Sequence, residues 1–259
     1  MGGIIPDSFD QLTKLSFFGV GANNLVGIIP PSMFDLSSLR LFDVGVNQIQ
    51  GNLPWDIGIT LSNIEIFSIA MNQFPGSIPI SISNASNLDQ LQLSENKLSG
   101  KVTSFEKLNR ISFFSISSNN LGNGWADDLN FFCSLMNATY LTLLTINSNN
   151  FGGELSECIG NLSTLLTRLP LYDKKISEKI STQIGNLINK ERFEMRNNKI
   201  SGNIPFEFGK LKKLQSLDLS TNNFSRNIPS FLGNLTIVIN LQLYAYNLQG
   251  NIPLSLRNC

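Results

Sequence analysis

The run Leu211-Lys-Lys-Leu214-Gln-Ser-Leu217-Asp-Leu219-Ser-Thr-Asn222-Asn-Phe224-Ser-Arg-Asn-Ile228-Pro229 sets its apolar residues at a fixed pattern of intervals. Leu217 and Leu219 alternate with period two, the signature of a short strand with one buried face. Asn222 follows where the chain must turn, and its amide can both donate to and accept from the backbone there. Pro229 then fixes φ where the chain heads away from the strand. The same pattern returns in Leu36, Leu39, Phe42, Val44, Asn47, Ile49, Gly51 and Leu53-Pro54.

Ten copies cover nearly the whole chain, starting at Leu12, Leu36, Leu61, Ala85, Leu108, Ala138, Leu162, Leu187, Leu211 and Leu235. One unit cannot bury its own leucines, so successive units stack as coils and stability is a sum of neighbour contacts. The strands are expected near Phe18, Phe42, Phe67, Leu91, Phe114, Leu144, Leu169, Phe193, Leu217 and Leu241, paired in parallel about 4.8 Å apart. The fold expected is an α/β solenoid. It is a right-handed superhelix with a parallel inner β-sheet of about ten strands and short 3-10 or helical turns on the outer face. It forms a single domain, 1–259, with partial repeats at 1–11 and 254–259 and an insertion at 122–137.

Composition narrows function. The 259 residues carry 19 Lys+Arg against 19 Asp+Glu, with no histidine. Zero net charge lacks the basic excess that neutralising phosphates requires, so no nucleic-acid partner is expected. Without histidine, Ser-His-Asp and Cys-His catalysis and His-ligated metals are excluded. No CxxC occurs, no cofactor or metal is expected, and the chain is not expected to be an enzyme. No run of about 18 apolar residues suggests a membrane span, and the N-terminus lacks the features of a secretory signal.

The LxGxIP half of the unit resembles the plant-specific class of leucine-rich repeat, over about residues 3–259. Within that class, Leu121-Gly-Asn-Gly-Trp-Ala-Asp-Asp-Leu-Asn-Phe-Phe-Cys-Ser-Leu and Gly160-Asn-Leu-Ser-Thr-Leu-Leu-Thr-Arg-Leu look like ectodomains of receptor-like serine/threonine kinases of the elongation-factor and flagellin receptor group. The resemblance implies an immune-receptor-like module on the extracellular side of the plasma membrane, with a peptide or protein ligand and a co-receptor as partners. It also implies cysteine caps, a signal peptide, a membrane span and a kinase. The chain opens inside a repeat and closes at Cys259, so the expectation is a fragment of such a receptor or a truncated copy. The alternatives are a secreted inhibitor of a cell-wall polygalacturonase and a non-functional copy.

Candidate site residues follow from the repeat register. Arg168, Tyr172, Arg192, Glu194 and Arg196 fall on the exposed face of coils seven and eight. Tyr and Arg are enriched at binding hot spots, and Arg forks onto carboxylates, so an acidic ligand segment is the expected partner. The early coils offer an apolar column instead, Phe17, Leu41, Ile66 and Phe113. Asn84, Asn137, Asn161, Asn223 and Asn234 stand in glycosylation sequons, and all but Asn223 precede a repeat start, on the outer flank. Cys133 and Cys158 lie five and four positions before their repeat starts, so adjacent coils bring them within reach of a disulfide; two separate thiols are the alternative. Cys259 reads as a small core residue. Asp127-Asp128 invites a metal or acid/base reading, but a helix N-cap before a buried face is the simpler expectation.

Several coils depart from the pattern. Lys174 and Tyr246 stand in place of the turn Asn, Glu178 and Arg226 in place of the turn Gly, and Lys190 in place of a core leucine. Lys190 is expected to snorkel to the surface or draw in water, and residues 170–200 are expected to be the weakest zone.

Overall fold

The structure is a computed structural model that describes residues 2–173, 175–224, 227–245 and 250–259. Lys174, Arg226 and Tyr246 therefore lie outside the described residues. Ten short strands form one parallel sheet in chain order: Phe17–Gly19, Leu41–Asp43, Ile66–Ser68, Gln90–Gln92, Phe113–Ser115, Leu143–Thr145, Arg168–Pro170, Arg192–Glu194, Ser216–Asp218 and Asn240–Gln242. Each expected strand centre is the middle residue of an observed strand.

The register explains the core. Phe18, Phe42, Phe67, Leu91 and Phe114 are paired in one row, and Leu169, Phe193, Leu217 and Leu241 continue the same column further on. Phe42 and Phe67 stack with ring centroids 5.5 Å apart, and Phe105 meets Phe114 edge-on at 4.8 Å. Such aromatic pairs add about 0.5–1.5 kcal/mol each beyond burial. A bulky residue in the LxL position therefore locks each coil to the next.

The turn asparagines form a ladder. Asn72 Nδ2 donates to the carbonyls of Ile69 and Ala70 in its own coil and of Val44 in the preceding one, while its Oδ1 accepts from the Ile49 amide. Asn47, Asn96, Asn119, Asn149, Asn198 and Asn222 repeat this pattern of bonds across the coil boundary. A buried backbone would otherwise leave these groups unpaired. The residue before each Asn adopts a left-handed conformation, including the β-branched Val46 (φ 57) and Thr221 (φ 53), and so do Asp173 and Ala245 in the coils without the Asn.

Beyond the ladder, the LxG stretches pair as a second set of short parallel strands not expected from the sequence pattern. Val26–Ile28 pairs with Gln48–Gln50, Ser99–Gly100 with Asn120–Leu121, Gly152–Gly153 with Lys175–Ile176, and Ser201–Gly202 with Asn223–Phe224. At the turn-glycine position the backbone takes positive φ, as at Gly100 and Gly202, and Glu178 is held there too at φ 64. Pro30, Pro79, Pro205 and Pro229 then open five-residue 3-10 helices on the outer face, and where Pro is missing Ser156 and Ser181 cap the helix through their hydroxyls.

Three expectations are corrected. Lys190 does not snorkel: it has no solvent exposure, and its Nζ finds no hydrogen-bond partner among the described residues, because it occupies the core position that Leu214 fills, fully enclosed, in the next coil. Desolvation holds its pKa well below the ordinary lysine value. Cys259 is exposed, not core, its thiol donating to the Leu232 carbonyl. Asp128 is not a helix N-cap. The 3-10 helix Asn130–Leu135 has no side-chain cap, and the buried Asp128 carboxylate instead accepts from the amides of Asn123, Gly124, Trp125 and Gly152. It ties the insertion to the following coil. Exposed Asp127 pairs with Lys101, whose hydrogen bond lowers its pKa.

Candidate functional site

The exposed positions of the ten-stranded sheet make a continuous wall whose side chains stand in columns fixed by strand pairing. One column runs Phe17, Leu41, Ile66, Gln90, Phe113, Leu143, Arg168, Arg192, Ser216, Asn240. The apolar strip is present, with Phe17 61% exposed, but it is interrupted by Gln90, whose Oε1 accepts from Gln92 Nε2. The adjoining column adds Asp43, Ser68, Gln92 and Ser115, so the early wall is mixed rather than apolar.

Coils seven to nine carry the charge. Arg168 and Arg192 are directly paired on neighbouring strands, both exposed, and neither makes an ion pair or hydrogen bond among the described residues. Glu194 shares a shallow depression with them and is half-buried. Arg196 is in a different state. Its guanidinium lies 4.3 Å from the Tyr172 ring centroid, a cation–π contact, and Nη1 is 3.8 Å from Oδ2 of the buried Asp218. Asp218 is fixed in turn, its Oδ1 accepting from the Ser220 amide and hydroxyl. The five residues are thus brought to one end of the wall but divide by role. Tyr172, Arg196 and Asp218 satisfy one another, while Arg168 and Arg192 are two unneutralised cations side by side. The burial of Asp218 beneath Arg196 depends on cross-coil register.

The glycosylation candidates are exposed and lie off this wall. Asn84, Asn161 and Asn234 end outer helices, Asn137 follows one, and Asn223 belongs to the second strand ladder. Cys133 and Cys158, on adjacent coils of the outer face, are joined by a disulfide with Cα atoms 5.0 Å apart.

Known proteins share this architecture. A family model described as Leucine Rich Repeat matches residues 213–235. The LRR receptor-like serine/threonine-protein kinase EFR of Arabidopsis thaliana is 39% identical over 89 residues, 34% of this chain and 9% of that protein. Receptor kinase-like protein Xa21 of Oryza sativa subsp. japonica is 38% identical over 71 residues, 27% of this chain and 7% of that protein. The matched stretches thus span under a tenth of the length of these relatives. The crystal structure of PEPR1-AtPEP1 superposes with a TM-score of 0.89 at 30% identity, covering 98% of this chain and 35% of that one. The Arabidopsis receptor kinase HAESA, solved with the peptide hormone IDA and the co-receptor SERK1, gives 0.90 at 27% identity, covering 100% of this chain and 42% of that one. The ten-stranded parallel sheet and these likenesses agree: the chain folds as a leucine-rich-repeat solenoid and resembles the ectodomains of plant leucine-rich-repeat receptor kinases.

Proposed function

We propose that this chain is a non-catalytic recognition module of a plant cell-surface receptor-like kinase. It takes a peptide or protein ligand on its inner wall and seats a ligand carboxylate between Arg168 and Arg192; a co-receptor completes the complex. The observation that carries the reading is the in-register pair of unneutralised guanidinium groups beside a third that is already satisfied. Two cations on strands about 5 Å apart repel, and an acidic group from a ligand relieves that repulsion while accepting forked hydrogen bonds. Phe113 and Leu143, on the coils just before, offer apolar surface along the same column to the rest of an extended ligand. The HAESA structure, solved with the peptide hormone IDA, supports the class of ligand.

An array of immobilised 12-residue peptides, acidic, neutral and basic, tests the reading. Acidic members should retain the protein, and Arg168→Ala with Arg192→Ala should weaken retention by about 2 kcal/mol or more and flatten its salt dependence. Arg196→Ala should cost less, because Arg196 is engaged within the protein. Retention that ignores Arg168 and Arg192 overturns the reading and moves attention to Phe17, Leu41, Ile66 and Phe113.

A further inference from the structure

On the outer flank, between coils two and three, lies a groove of about 640 Å³ lined by Trp55, Pro75, Ile78, Pro79 and Ile80, with Asn52, Ser77 and Ser81 among them and Asn84 also on its lining. Trp55 is 78% exposed and Ile80 68% exposed. An indole with so much of its surface in water, beside the equally exposed Ile80 and at the mouth of a groove, marks an apolar surface able to take an occupant. Asn84 begins the sequon Asn84-Ala85-Ser86. Its Oδ1 accepts a 2.7 Å hydrogen bond from Lys107 Nζ, whereas its Nδ2, the atom that carries an N-linked sugar, has no hydrogen-bond partner among the described residues. The amide of Asn161, by contrast, donates its Nδ2 to Met136 Sδ.

We infer that this groove is the seat of the N-glycan attached to Asn84, with Trp55 as the platform on which the apolar face of a sugar ring lies. Attachment breaks the C1–O bond of a lipid-pyrophosphate-linked oligosaccharide and forms a C1–N bond to Nδ2, releasing the lipid pyrophosphate and one amide proton. The Lys107 hydrogen bond survives, because Oδ1 is unchanged, and it sets the direction in which the first sugar leaves the chain. The sugar's C–H face buries apolar area on Trp55 and Ile80. Its hydroxyls meet the amide of Asn52 and the hydroxyl of Ser77. A tethered sugar loses little further translational freedom on docking, so even weak stacking holds it.

The inference rests on the extracellular reading, since the modification is made in the secretory pathway. It is tested on protein secreted from plant or insect cells, in a Trp125→Phe background so that Trp55 is the single indole. Glycopeptide mass spectrometry should find Asn84 occupied. Acrylamide quenching of Trp55 should be at least twofold weaker than in the Ser86→Ala variant, which loses the sequon and keeps Asn84. An unoccupied Asn84, or equal quenching in the two proteins, overturns the inference. Either failure is separate from the peptide-array result, which does not involve this flank.

Discussion

Lys190→Met isolates the effect of placing an amine in the core of the eighth coil. The wild-type side chain is fully enclosed and its Nζ has no partner among the described residues. Desolvation lowers its pKa well below 10.5. A lysine whose pKa is depressed on folding is charged more readily in the unfolded chain, so between the folded and unfolded pKa values the unfolded state binds the extra proton. Stability contributed by this site therefore rises with pH, by about 1.4 kcal/mol per unit at most, levels off above the unfolded value, and is lost as pH falls toward the folded value. Methionine keeps the length and volume and removes the polar atom. At alkaline pH, where the amine is neutral in both states, its removal relieves one unpaired buried group, worth about 1–3 kcal/mol. Below that the advantage of Met should widen as pH falls, by up to about 1.4 kcal/mol per unit. Guanidinium unfolding followed by far-UV circular dichroism from about pH 11.5 to pH 6 reads both. Parallel profiles for the two proteins, or a Met variant less stable than wild type, would show that the amine is hydrated or paired in solution and refute the reasoning.

Glu178→Gly should raise the thermal midpoint, since it relieves a non-glycine residue held at φ 64, worth about 1 kcal/mol; a lower midpoint would mean that Glu178 makes a compensating contact. Asn119→Ala removes donations to the Leu93, Ile116 and Ser117 carbonyls and leaves the Leu98 amide without its acceptor, so a loss of about 3 kcal/mol and faster hydrogen exchange at Leu98 are expected. Exchange unchanged at Leu98 would argue that water replaces the side chain.

Strand positions and register were legible because the LxL alternation leaves one buried face and a slip of one residue would expose Phe42 or Phe67. The outer turns were legible from Pro at the helix entry. The second strand ladder was not: Ser99–Gly100 and Gly152–Gly153 are too short to alternate, and their pairing comes from coil stacking. Nor was the left-handed residue before each Asn, where side chains as different as Val46, Glu95 and Thr221 occur; Asp173 and Ala245 adopt it too in coils without the Asn, so the coil's turn imposes the conformation and residue type carries no signal. The Asp128 reading failed because its partners, four backbone amides spread from Asn123 to Gly152, assemble only once the loop closes. On the wall, the clustering of Arg168, Arg192 and Arg196 was visible from spacing. The division into one satisfied and two free guanidiniums was not, since it turns on whether Asp218 is buried.

The asparagine ladder has a direction. Each Asn repairs the coil before it: Asn72 accepts from Ile49 and donates to Val44, both upstream, and nothing in that exchange runs the other way. A coil's turn is thus finished by its successor. Loss of one Asn should loosen its own turn and the one on its N-terminal side and leave the C-terminal side closed, so a defect spreads toward the amino terminus like a dropped stitch. The unit that can be gained or lost without damage is consequently a full coil taken from one Asn to the next, because only that cut leaves every turn with a successor to close it.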